Sequence, residues 1–111
     1  MEFDNNKPIY LQISDSLCER ILSGELKPED RILSVRELGS ELGVNPNTVA
    51  RSYEKLTDAG IIYTKRGLGY FVAPGAKEIV LEALRKDFME NEWPRLLKRA
   101  ALLDINLKEL L

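Results

Sequence analysis

A mainly α fold with one small β-hairpin is predicted by three features of the sequence. Apolar residues recur at helical spacing in three successive segments between residues 9 and 59. Each of these segments closes on a helix-stopping glycine, Gly24, Gly43 and Gly60 in turn. The stretch after them, Ile61-Ile62-Tyr63-Thr64, is β-branched and aromatic, turns over Arg66-Gly67-Leu68-Gly69 and returns as Tyr70-Phe71-Val72.

Pro8 can open the first helix, because proline is tolerated in a first turn. Ile9, Ile13, Leu17 and Ile21 then form one apolar stripe, which predicts a helix over about residues 9–23. Cys18 lies beside that stripe and reads as a small buried hydrophobe; a single cysteine forms no internal disulfide. Lys27-Pro28-Glu29-Asp30 is a turn, and Arg31-Ile32-Leu33 is expected to be one short strand. Ser34 and Glu37 have the spacing of a capping box, so a second helix starts there with Val35, Leu38 and Leu42 on one face. Asn45 is a strong N-cap and Pro46 suits the first helical position, which starts a third helix running to about Ala59. Its buried face is expected to be Val49, Tyr53 and Leu56. Asn47, Thr48, Arg51 and Lys55 fall on the opposite face. Tyr53 and Tyr63 read as core or rim packing. Helix, short strand, helix, tight turn, helix and hairpin, in that order, make a winged helix-turn-helix.

Pro74-Gly75 divides the chain into residues 1–75, the winged helix-turn-helix, and residues 76–111, a two- to three-helix tail. A fourth helix, about 76–91, carries Ile79, Val80, Ala83, Leu84 and Phe88 on one broad face. Trp93-Pro94 is expected to restart the chain into a fifth helix with Leu96, Leu97, Ala100 and Leu103, and Asn106 to cap a last turn over Leu107 to Leu111. Two short helices cannot hide all these side chains against each other, and each one left wet forgoes about 1.5–3 kcal/mol. A second copy is the simplest cover, so Ile79, Val80, Leu84, Phe88, Trp93, Leu96, Leu97 and Leu103 are the expected dimerisation residues of a two-fold homodimer. The competing arrangement packs the tail back onto the chain's own winged domain.

The composition excludes several classes of function. Hydrophobic residues make up 44% and charged residues 31% of 111, which is ordinary globular composition. No apolar run is long enough for a membrane span, and the start, Met1-Glu2-Phe3-Asp4, has no signal-peptide pattern, so the expected location is the cytoplasm. With no histidine and one cysteine, no metal site and no cofactor are expected. No nucleophile–base pair or phosphate loop is visible either, so the chain is not expected to be an enzyme and has no candidate catalytic residue. Gly67 and Gly69 lie in a hairpin rather than at a strand-to-helix junction, so they are no dinucleotide motif.

The net charge is −2, yet Arg51, Lys55, Lys65 and Arg66 gather against only Glu54 and Asp58 where a third helix and a wing would lie. A major groove admits one α-helix. Short polar groups at the start of that helix, here Asn45, Asn47 and Thr48, can approach base edges or phosphates, and Asn47 can pair with adenine. Arg51, one turn further on, can either fork onto a guanine edge or clamp a phosphate. Arg36 starts the helix that crosses the backbone, which makes it a phosphate clamp or else a surface partner of Glu37 or Glu41. Lys65 and Arg66 at the wing can contact phosphates or enter the minor groove, with glycine allowing close approach. The partner so predicted is a double-stranded DNA operator. The alternative is a winged helix used for protein binding, to which the acidic balance would be suited. No effector pocket is evident; a small-molecule effector, if the chain takes one, would sit among the tail helices or where they join the winged domain.

Several strings resemble the GntR family of bacterial regulators. They are Pro8-Ile9-Tyr10-Leu11-Gln12-Ile13, Ile21 to Pro28, Ser34 to Leu38, Leu42 to Arg51, Gly60-Ile61-Ile62 and Arg66 to Val72. Together they cover roughly residues 7–73. The resemblance implies a sequence-specific transcription regulator, with DNA contacts from Arg36, from Asn45, Asn47 and Thr48, and from Arg66 and Gly67. Many relatives carry arginine where this chain has Pro46 and Ala50, glycine where it has Glu29, and proline where it has Leu33. The short tail is similar to that of the YtrA branch, which implies a dimer and, often, control of a transporter operon. A two-fold dimer presents two reading helices, so the expected operator is a palindrome, and the expected regulator a repressor.

Overall fold

The structure, a computed structural model, describes residues 1–110 and divides into two compact units, 1–80 and 81–111. In the first unit, α1 (Ile9–Leu22), α2 (Val35–Leu42) and α3 (Pro46–Asp58) precede a hairpin of β1 (Ile62–Lys65) and β2 (Gly69–Val72). The stripe of α1 faces inward as its spacing requires, with Ile13, Leu17 and Ile21 buried, while Ile9 at the start of the helix is exposed. The α2 capping box is formed: Glu37 N–H donates to Ser34 Oγ at 3.1 Å, and Ser34 N–H donates to Glu37 Oε1 at 3.0 Å. Gly43 ends α2 with φ 69°. The turn into α3 is so tight that a Cβ on Gly39 would lie 2.9 Å from the Val44 carbonyl oxygen. The strands pair antiparallel, Ile62 opposite Val72 and Lys65 opposite Gly69. The result is a mostly helical winged helix-turn-helix with one two-stranded hairpin.

The segment expected as a strand at Arg31–Leu33 makes only an isolated bridge, Arg31 with Phe71, supported by Ile32 N–H donating to the Tyr70 carbonyl at 3.0 Å. Two features cut it short. Glu29 has φ 72°, which turns the backbone just before it. The Leu33 carbonyl instead accepts from the Tyr53 hydroxyl at 2.6 Å.

After the hairpin come α4 (Ala76–Asp87), a π turn (Phe88–Glu92), α5 (Trp93–Leu102) and α6 (Leu107–Leu110). Val80, expected at a dimer surface, is instead 1% exposed and part of the first unit's core with Ala76, because both lie on the inward face of the first turns of α4. The fifth helix starts at Trp93 as expected, but with no break in the helical backbone before it. The helical backbone passes through the π turn, in which Trp93 N–H donates to the Phe88 carbonyl. Proline has no N–H to give and its ring crowds the carbonyl four residues back; the wider turn relieves that crowding. Asn106 caps α6, its Oδ1 accepting from Lys108 N–H at 3.0 Å; Leu111, expected to end that turn, lies outside the described residues. Ile79, Leu84, Phe88, Leu96, Leu97 and Leu103 are exposed and Trp93 is half-buried. Among the described residues, no helix is long and apolar enough to cross a membrane.

Candidate nucleic-acid interface

The third helix is pinned on one side and free on the other. Val49, Ser52, Tyr53 and Leu56 are buried. Tyr53 donates its hydroxyl to Leu33 and meets Tyr70 edge-on, ring centroids 4.8 Å apart at 72°; burial pushes its phenol well above the ordinary tyrosine range. Asn47, Arg51 and Lys55, four residues apart, are exposed on the opposite side, and Thr48 is half-buried beside them. At the helix start the Asn45 Oδ1 accepts from Asn47 N–H at 2.8 Å, so this oxygen caps the helix and the amide N–H donors are left for a ligand.

Asn47, Thr48 and Arg51 share an open groove with Ile9 and Tyr10 of α1. The Arg51 guanidinium carbon stands 4.0 Å over the centre of the Tyr10 ring. The Tyr10 carbonyl accepts from Ser14 Oγ at 3.0 Å and also from Ser52 Oγ, which ties the start of α1 to the residue next to Arg51.

At the wing, Arg66 and Gly67 are exposed at the turn, where Gly67 has φ 77°. Lys65 is drawn back from that tip. Its Nζ lies 4.4 Å over the Phe71 ring and 3.4 Å from Glu29 Oε2, which also accepts from the Tyr63 hydroxyl at 2.6 Å. That phenol hydrogen bond, with Lys65 after it, holds the Glu29 carboxyl below its ordinary range. Arg31 joins the wing to α2: its Nε donates to the Leu68 carbonyl at 3.2 Å and its Nη2 lies 3.6 Å from Glu37 Oε1. Glu37 is therefore occupied by Arg31 and the cap. Arg36 is exposed in the first turn of α2, and none of the described hydrogen bonds or ion pairs holds it.

The residues absent from the sequence-based site are thus Tyr10, Ser52 and Arg31. None carries a local signal, since each reaches a partner far along the chain. Helical spacing put Asn47, Thr48 and Arg51 on the polar face of α3, and the structure brings these three to one groove.

Comparison with known proteins follows the same outline. The family described as "Bacterial regulatory proteins, gntR family" matches residues 9–72. The uncharacterized HTH-type transcriptional regulator YhcF of Bacillus subtilis is 45% identical over 91 residues, 82% of this chain and 73% of that protein. The HTH-type transcriptional repressor YtrA of Bacillus subtilis is 42% identical over 78 residues, 70% of this chain and 60% of that protein. A solved structure of a GntR family transcriptional regulator from Listeria monocytogenes superposes with TM-score 0.77 at 35% identity, covering 97% of this chain and 93% of that one.

Proposed function

The chain belongs to the GntR family of bacterial regulatory proteins and is a DNA-binding transcription regulator, not an enzyme, and from that premise we propose that it represses transcription as a homodimer on a palindromic operator. The observation that carries this reading is the two-sided α3. Its inner side is locked into the core, and its outer side offers Asn47, Arg51 and Lys55 along the length a major groove receives.

In this reading Asn47 and Thr48 approach base edges, Arg51 forks onto a guanine or a phosphate, and Lys55 meets the backbone further along. Arg36 clamps a phosphate from α2, and the Asn45 amide donors face another. Arg66 and the Gly67 backbone take the adjacent strand from the wing. Lys65 joins them only by leaving Glu29. The exposed apolar side chains Leu84, Phe88, Leu96, Leu97 and Leu103, with Ile79 and the half-buried Trp93, support a second copy as their cover. Two α3 helices related by a two-fold axis then require inverted half-sites, about one helical turn apart or a multiple of it. The repressor YtrA, similar over most of this chain, supports the sign of regulation.

The test is selection of bound sequences from random double-stranded DNA by the purified chain at about 50 mM salt, where phosphate contacts are strongest. An enriched palindrome is the expected result. A single unrepeated half-site would remove the dimer from the reading, and no enrichment would remove specific DNA recognition.

A further inference from the structure

The groove between the start of α1 and α3 contains a feature that the reading face by itself does not require. Arg51 is the one arginine of α3, and its guanidinium stands over an aromatic ring from a different helix. That ring is itself anchored. Tyr10 lies in the first turn of α1, and its carbonyl receives the hydroxyls of Ser14 and Ser52, both buried. Ser52 follows Arg51 directly, so the anchor and the stacked arginine are consecutive on α3. A guanidinium held over a ring face samples fewer rotamers than a free arginine, while its N–H donors stay available to a ligand. The rest of the groove's lining, Ile9, Asn47 and Thr48, carries no charge.

We infer that Tyr10 is a positioning residue for DNA recognition: it holds the Arg51 guanidinium in the groove before DNA arrives, so binding freezes less side-chain freedom. The inference rests on the proposed reading in which Arg51 touches DNA. Tyr10 need not contact DNA itself. A solvent-exposed cation–π contact is modest, and its loss is expected to weaken operator affinity about two- to fivefold.

The experiment is a double-mutant cycle on the full chain, with affinity for the selected operator read by fluorescence anisotropy and folding followed by thermal melting. Tyr10→Phe keeps the ring and is expected to bind like the parent. Tyr10→Leu is expected to lose about two- to fivefold, and to lose nothing further when Arg51→Ala is already present. If Tyr10→Leu melts below the assay temperature, Tyr10→Met takes its place in the same cycle. Parental affinity for Tyr10→Leu, with Arg51→Ala impaired, would overturn the positioning role and leave the reading face intact. An equal loss from Tyr10→Leu in both backgrounds would likewise overturn it, since the ring would then act without Arg51. An Arg51→Ala chain that binds normally would overturn the contact itself, and the positioning role with it.

Discussion

Tyr53 fastens α3 to the core, and removing only its hydroxyl tests that fastening. Tyr53→Phe keeps the ring, its burial at 1% exposure and its edge-on contact with Tyr70, but deletes the hydrogen bond to the Leu33 carbonyl at 2.6 Å. A neutral hydrogen bond of this kind contributes about 0.5–1.5 kcal/mol net, and more is lost only if the abandoned carbonyl stays dry. Here Leu33 and Tyr53 line the same cleft, so water can reach that carbonyl and the cost should stay near 1 kcal/mol. For a domain of this size, that corresponds to a fall in Tm of about 4–8 °C, read by circular dichroism. The same substitution has an alkaline signature. Burial raises the folded phenol's pKa, so its contribution is complete below the unfolded value, about 10, and is lost as pH rises above it. Phenylalanine has no proton to lose, so the gap between parent and variant should hold up to about pH 9 and narrow above about pH 10. A Tm within about 2 °C of the parent's at neutral pH would refute the hydrogen-bond argument. A gap that stays constant with pH would refute the burial argument.

Two further substitutions probe the turn and the wing. Gly39→Ala should lower the urea midpoint despite alanine's better helix propensity, because its Cβ would press on the Val44 carbonyl at 2.9 Å and crowding of this kind costs about 1–3 kcal/mol; a raised midpoint would show that the turn relaxes freely. The Glu29 carboxyl is held low first by Tyr63, so its contribution is present above the ordinary carboxylate range, about 4.3, and fades as pH falls through the folded value. Tyr63→Phe should therefore flatten the acid limb of the Tm–pH curve, and an unchanged limb would mean that the phenol hydrogen bond does not persist in solution.

What the sequence made legible was local. Ser34 and Glu37 announced α2, Asn45-Pro46 announced α3, and Gly43 marked the turn between them, because caps are decided by residues within one helical turn. The outer face of α3 followed from period alone. What stayed hidden depended on residues far apart in the chain. Tyr10 and Ser52 are separated by 42 positions and Arg31 and Leu68 by 37, and no spacing rule reaches across such gaps. Val80 illustrates a different failure: one apolar face of α4 serves two purposes, and the pattern could not show where core burial stops and exposure begins. The turn at Lys27 to Asp30 was legible from its residues, but the left-handed backbone of Glu29 within it showed only as a place where relatives carry glycine.

The π turn in the tail has a consequence for phase. From Leu84 the apolar side chains step by four to Phe88, by five to Trp93 and by four again to Leu97. In a regular α-helix a step of five lands about 140° away from its starting side, so Trp93 and Leu97 would be thrown off the line begun by Leu84 and Phe88. The π turn closes over five residues, which returns Trp93 to Phe88, their ring centroids 6.3 Å apart. The irregularity in the backbone cancels the irregularity in the sequence, as though one extra residue had been inserted and absorbed. The stripe therefore continues through the π turn in register, and a proline that would end most helices sits where the coil has already been loosened.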